Sequence, residues 1–128
     1  MTVLVTGGAG YIGSHTTYAL LDRGEDVVVL DNLSTGVRVL VGEKAHFVEG
    51  NVADPALVAR LIRERGVDAV IHFAGSIVVP DSMAQPLAYY ANNVVASRAL
   101  IETCVQEGVK QFIFSSTATV YAEDAPQL

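Results

Sequence analysis

Tryptophan is absent from these 128 residues, cysteine occurs once and lysine twice. The single cysteine, Cys104, rules out an internal disulfide and suits a reducing compartment such as the cytoplasm. Set in a helical stretch, it reads as a small buried thiol rather than a nucleophile. Lys and Arg together number 8 against 14 Asp and Glu, a formal net charge of -6. The few basic residues are scattered, which argues against nucleic acid as a partner, because that binding leans on clustered Lys and Arg. An anionic ligand would have to be held by local dipoles rather than by the overall field. No apolar run approaches the roughly 18 residues of a membrane span, so no membrane partner is expected. A strand-like run from Thr2 leaves no room for a charged n-region and an apolar h-region, so no secretory signal is expected. The sequence also offers no His, Cys, Asp and Glu cluster at metal-ligand spacing, and no Ser, His and Asp arrangement for nucleophilic catalysis.

What is present is an alternation. The chain is 51% hydrophobic and 17% charged, a globular composition of one domain's length. "TVLVTG" is a short β-branched run, followed by glycines. Residues 11 to 23 read as a helix with Ile12, Ala19 and Leu20 on one face and Gly24 as its stop. "DVVVLD" is a second strand and "HFVEGNV" a third. Asp54 is placed to cap a helix that has Pro55 at its first position and runs to Gly66. "DAVIHFAG" is a fourth strand. A helix opened by Pro86 follows, carried by Leu87, Tyr90, Val94 and Leu100 towards Gly108, and "KQFIFSS" is a fifth strand. Strands alternating with helices imply parallel pairing through crossovers, and near-continuous apolar strands imply a sheet covered on both faces. The expected fold class is therefore α/β, a Rossmann-like doubly wound parallel sheet of about five strands. Residues 32 to 45 and 76 to 85 are the least regular. A further crossover and strand is usual in such a sheet, so the domain, residues 1 to 128, is expected to lack its C-terminal part.

"VTGGAGYIGSHT" carries the chemistry of binding. Gly8, Gly10 and Gly13 fit G-x-G-x-x-G, and Gly7, Gly10 and Gly13 fit G-x-x-G-x-x-G. A strand precedes, a helix follows, and Asp31 closes the second strand 18 positions after Gly13, the context of a dinucleotide site. The glycines permit a tight turn, close approach to a pyrophosphate and close helix–strand packing, while the helix N terminus supplies N–H groups. No Lys or Arg lies in residues 1 to 22, so the phosphates would be held by backbone. Asp31 can accept from the adenosine ribose hydroxyls and would repel a 2′-phosphate, favouring NAD over NADP. Arg38 in the next loop is the residue that could accommodate that phosphate instead.

Five motifs in order, "TGGAGYIGSH", "DNLSTG", "HFAG", "YYANNV" and "FIFSSTATVY", resemble the extended short-chain dehydrogenase/reductase family, nearest to its UDP-glucose 4-epimerase branch. The resemblance covers the whole chain but only the N-terminal part of such an enzyme, which is typically more than twice as long and has a separate substrate domain. It implies NAD as cofactor, with the pyrophosphate on Gly7, Gly10, Tyr11, Ile12 and Gly13. The adenosine ribose would lie on Asp31, Asn32, Leu33, Ser34, Thr35 and Gly36. Asn51 and Val52 would flank the adenine, Asn51 standing where the family usually has Asp. Phe73, Ala74, Gly75, Ser76 and Ile77 would lie along the cofactor towards the nicotinamide. Some members have Lys at the position of Ile77. Asn92 resembles an asparagine that orients this region, and Ser115 falls near the nicotinamide. Thr117 matches a residue that hydrogen-bonds the sugar hydroxyl under oxidation. The implied reaction is epimerisation at carbon 4 of a UDP-sugar by a hydride that leaves to NAD and returns on the other face. The helix from Pro86 would contribute to a homodimer.

The family's acid–base pair is Tyr-x-x-x-Lys. Lys44 and Lys110 are the only lysines here and neither follows a Tyr by four; Tyr121, the last tyrosine, is followed by Ala125 and matches a different family tyrosine. These 128 residues alone are therefore expected not to turn over substrate. Another nucleotide-sugar epimerase or dehydratase of the family, or a non-catalytic dinucleotide-binding module, remain alternative readings. The remaining polar residues read as structural: His72 as a satisfied core histidine, His15 as making a local hydrogen bond, and His46 as lacking a partner. Asp54 and Asp81 read as cap and loop residues, and "RLIRERG" as a solvated helix face.

Overall fold

The computed structural model describes residues 1–117. Strands β1 (Thr2–Thr6), β2 (Asp26–Asp31), β3 (His46–Glu49), β4 (Val67–His72) and β5 (Gln111–Phe114) form one sheet in the order β3-β2-β1-β4-β5. All four pairings are parallel. Helices α1 (Tyr11–Asp22) and α2 (Pro55–Arg65) make crossovers. A longer helical segment makes another: α3 (Val79–Ala84), α4 (Pro86–Tyr89), a π turn (Tyr90–Val95) and α5 (Ala96–Gln106). The order reverses at β1, from which the chain builds outward on either side. That is the place where doubly wound sheets open a crevice beyond the carboxyl ends of their strands.

Alternation along the strands divides the core. Leu4, Leu30 and Val70 face α2 and α5 and pack with Val58, Leu61, Ile62, Leu100 and Cys104. Val3, Val5, Val27 and Val29 face the other way, with Ala9, Val41 and the half-buried Leu20 and Leu21. The α2 boundaries follow from its sequence. Asp54 accepts from the Leu57 N–H at 3.1 Å, and Gly66 ends the helix at φ 60°.

Two helix faces differ from the expectation. In α1, Ile12 and Ala19 are exposed, and the buried residues are Gly13, Ser14 and Thr17. At its start the helix lies so close to the glycine turn that Gly13 has no room for a side chain. In the helix from Pro86, Leu87, Tyr90 and Val94 are exposed, and the buried face is Ala96, Ser97, Leu100, Thr103 and Cys104. Burial pushes the Cys104 thiol up to about 11, so at pH 8 it is protonated and shielded. It should react with a thiol-specific disulfide reagent only upon unfolding, at least about 100-fold more slowly in the native chain than in denaturant; fast native labelling would contradict this packing.

The "RLIRERG" stretch is more than a solvated face. Leu61 and Ile62 are core residues. Arg63 donates two hydrogen bonds to the Glu107 carboxylate, at 2.7 and 2.8 Å, which holds that carboxyl below its ordinary value. Arg65 donates to the His46 ring, at 2.8 Å to Nε2, so His46 has a partner after all. Short segments at Arg38–Leu40 and Val79–Ala84 lie within the two stretches that sequence alone left irregular.

Candidate functional site

The residues singled out by the sequence follow the C-terminal ends of successive parallel strands, so the fold gathers them along one edge of the sheet. After β1, the turn runs from Gly7 to Gly10, the N-cap of α1, closed by a Gly10 N–H to Gly7 carbonyl bond of 3.1 Å. Gly7 has φ 71°, and a Cβ there would come within 2.6 Å of the Ala74 nitrogen. A Cβ on Gly13 would strike the Gly7 carbonyl oxygen and lie 2.8 Å from the Gly8 Cα. Gly8 faces Val29 in the core instead. The G-x-x-G-x-x-G reading, on Gly7, Gly10 and Gly13, is therefore the one that shapes the turn. The N terminus of α1 has no side-chain cap and no acidic residue in its first turn. The first N–H groups of a helix lack intrahelical acceptors, so those of Tyr11, Ile12 and Gly13 remain for an outside anion.

Asp31 is buried, not a solvated strand end. Its Oδ2 accepts from the Ala9 N–H at 2.9 Å and its Oδ1 from the Leu33 N–H at 2.8 Å. Leu33 sits at φ 55°, and Asn32 accepts from the Ser34 N–H at 3.0 Å, so the loop through Ser34 and Thr35 is tightly wound. Val37 then donates to the Ala9 carbonyl at 2.9 Å, and a Cβ on Gly36 would meet Ala9 and Asp31. Ala9 thus ties the two loops together, a role invisible in its residue type. Arg38 lies over the Phe47 ring at 4.4 Å, engaged there rather than left over for a phosphate.

Beyond β3, Asn51 accepts from the Ala53 N–H at 2.9 Å, an Asx turn that keeps its amide donors for other use, and Val52 is buried. Beyond β4, Phe73 donates to the Thr6 carbonyl at 2.9 Å, which holds Phe73 and Ala74 against Gly7. Gly75 lies beside the Asn93 side chain. Asn93 accepts from the Ser76 N–H at 2.7 Å and donates to the Ser76 carbonyl at 2.8 Å, while Asn92 donates to the Ser76 hydroxyl at 2.9 Å. Sequence reasoning named Asn92 and missed Asn93, which holds the backbone. Two adjacent Asn in a helix, where Asn is a poor former, were the available signal. Ile77 is 87% exposed.

Beyond β5, Ser115 donates its N–H to the His72 carbonyl at 3.1 Å. Ser115 and Thr117 are exposed at the same edge. Tyr121 and Ala125 lie outside the described residues. His72 is a satisfied core histidine: its Nδ1 is 2.6 Å from the Thr6 hydroxyl and its Nε2 2.8 Å from the Ser97 hydroxyl. Burial lowers its pKa and keeps the ring neutral. His15 makes an edge contact with the Tyr11 ring, centroids 4.7 Å apart, in place of the expected hydrogen bond. Among the described residues no cluster of His, Cys, Asp and Glu can hold a metal, and no helix is long and apolar enough to cross a membrane.

A parallel sheet with its order reversed at β1, an uncapped glycine-lined helix start and a buried carboxylate closing β2 define a Rossmann-type nucleotide-binding fold. The chain matches the model of the NAD dependent epimerase/dehydratase family over residues 3–128, and it belongs to that family. It is 50% identical to a UDP-glucose 4-epimerase of Erwinia amylovora over 98% of its own length and 40% of that relative's. It is 47% identical to one of Klebsiella pneumoniae, covering 96% of that shorter sequence. A crystal structure of a Stenotrophomonas maltophila UDP-glucose-4-epimerase with bound NAD and formylated UDP-arabinopyranose superposes with a TM-score of 0.93. The match is 38% identical and covers 99% of this chain and 40% of that one. The chain thus spans about 40% of the length of most of the curated relatives it matches.

Proposed function

We propose that these residues form the NAD-binding part of a UDP-glucose 4-epimerase, which interconverts UDP-glucose and UDP-galactose in galactose metabolism. The observation that carries the reading is the cradle itself, where a Cβ on Gly7 or Gly13 would close the space and the α1 N terminus is left uncapped. The N–H groups of Tyr11, Ile12 and Gly13 would hold the diphosphate through backbone alone. Asp31 would take the adenosine ribose, its two backbone donors fixing the carboxylate in place, with Asn32 to Gly36 wrapped round it. Asn51 and Val52 would flank the adenine. Phe73 to Ile77, with Ser76 pinned by Asn92 and Asn93, would line the path to the nicotinamide. Bound there, NAD supplies the hydride acceptor and donor of the family's reaction. Ser115 and Thr117 would face the reacting end, Thr117 holding the sugar hydroxyl at carbon 4.

The activity of the relatives supports UDP-glucose as substrate, and the single cysteine supports the cytoplasm. The 128-residue polypeptide has no Tyr-x-x-x-Lys pair, and general acid–base catalysis is worth about 10²–10⁴-fold. It should therefore bind NAD with a calorimetrically measurable heat yet show no UDP-galactose conversion in a coupled assay. A folded chain that gives no heat with NAD would sink the reading, and clear turnover would overturn the account of the missing pair.

A homodimer is supported by one surface. Leu87, Tyr90, Val94, Ile101 and Val105 are all exposed and recur at helical spacing along the segment from Pro86. Sedimentation should give a dimer at micromolar concentration, shifted to monomer by Val94→Glu; a monomeric wild type would count against it.

A further inference from the structure

His72 joins three elements directly beneath the candidate cofactor edge. It is 1% exposed and lies opposite Thr6 in the β1–β4 register. Thr6 is the last residue of β1 and precedes Gly7; His72 is the last residue of β4 and precedes Phe73. The Thr6 hydroxyl is 2.6 Å from Nδ1, and the Ser97 hydroxyl of α5 is 2.8 Å from Nε2. The His72 carbonyl accepts from Ser115, so the residue also anchors the strip beyond β5. Phe112 and Phe114 of β5 close the ring in, their centroids 6.1 and 5.7 Å away.

We propose that His72 is a positioning residue of the dinucleotide cradle, its neutral imidazole tying the end of β4 to the end of β1 through Thr6 and bracing that pair against α5 through Ser97. The inference rests on the NAD reading only for what lies above the strands. A neutral imidazole has one donor and one acceptor, which two hydroxyls can both satisfy. An imidazolium has two donors and no acceptor, so one hydroxyl must turn over, in a site that holds no carboxylate among the described residues. The charged groups on the surrounding elements lie elsewhere. Asp68, at the far end of β4, accepts from the Thr2 N–H. Arg98 and Glu102 on α5 are exposed and paired with each other at 3.4 Å. Lys110, ahead of β5, is exposed, and β1 carries no charged residue. The spacing being held matters because Gly7 and Ala74 are in such close approach that a single Cβ does not fit between them.

The test has two arms. In the NAD-free chain, the backbone amide resonances of Gly7 and Ala74 are followed with the His72 ring proton as the pH is lowered from 8. Both amides should shift in step with His72. In His72→Asn, whose amide replaces the Nδ1 side of the ring and keeps the Thr6 link, they should stay flat over that range. In the second arm, calorimetry at pH 7.5 should give His72→Asn an NAD affinity within about threefold of wild type. His72→Phe, which keeps the ring volume and loses both links, should fall about tenfold. Amides indifferent to the titration of His72, or a folded Phe variant that binds NAD as wild type does, would overturn the proposal. Absence of NAD binding by wild type itself would instead remove the cofactor reading, since the first arm contains no NAD.

Discussion

Gly13→Val is expected to cost the chain at least about 100-fold in NAD affinity, the largest effect of any single substitution in the cradle. A side chain at this position meets backbone: the Gly7 carbonyl and the Gly8 Cα. Backbone has no rotamer to escape into, so α1 must lift off the turn. Overpacking of this kind typically costs about 1–3 kcal/mol of stability, within the total of about 5–15 kcal/mol that a domain has. The variant should therefore remain folded by circular dichroism while the N–H groups of Tyr11 and Ile12 leave their places. Calorimetric titration with NAD reads the loss. A folded variant binding within threefold of wild type would show that the glycine turn makes a fold and not a site.

Asp31→Ala is expected to weaken NAD by about 10- to 100-fold and to leave NADP nearly unchanged, so that the preference between them collapses. The carboxylate has two jobs in one place. Its oxygens accept from Ala9 and Leu33, and leaving buried donors unpaired costs about 1–3 kcal/mol each. Its charge would also repel a 2′-phosphate on the proposed reading, and the variant would remove that repulsion. Paired titrations with the two dinucleotides measure the ratio; one unaltered by the substitution would show that Asp31 only braces the loops. Asp31→Asn, which loses the charge and keeps one of the two acceptors, should fall between wild type and Asp31→Ala in NAD affinity.

Most of the architecture is legible because strands and caps are local. The apolar runs at Thr2–Thr6, Asp26–Asp31 and Val67–His72 have little alternative to a buried parallel strand, and Asp54 with Pro55 starts a helix wherever it stands. Packing faces are less legible, because periodicity takes apolar to mean inward. In α1 the contact distance decides at Gly13, where the Gly7 carbonyl leaves no room for a side chain, and Ser14 and Thr17 share its buried face while Ile12 goes out. The site divides along the same line. Gly7, Gly13 and Asp31 announce themselves by type and spacing. Ala9 and Asn93 act through a backbone N–H and a side-chain amide placed by tertiary contacts, just as, outside the candidate site, His46 finds Arg65 from 19 residues away. No spacing rule reaches those.

The π turn at Tyr90–Val95 has a consequence for how the sequence can vary in length. An α-helix turns about 100° per residue, and a π turn holds one residue more than an α turn. Here the widened turn itself carries one fixed point, Asn92 and Asn93 on Ser76, and leads into a second, the Leu100 and Cys104 contacts in the core. Removing one residue from it would let the helix run regularly, at the expense of one point or the other: Asn92 and Asn93 would swing off the loop, or α5 would roll its core residues towards solvent. Substitutions within the turn can be absorbed one side chain at a time. A change in residue count cannot, so this six-residue stretch, its two asparagines apart, should tolerate variation in composition far better than variation in length.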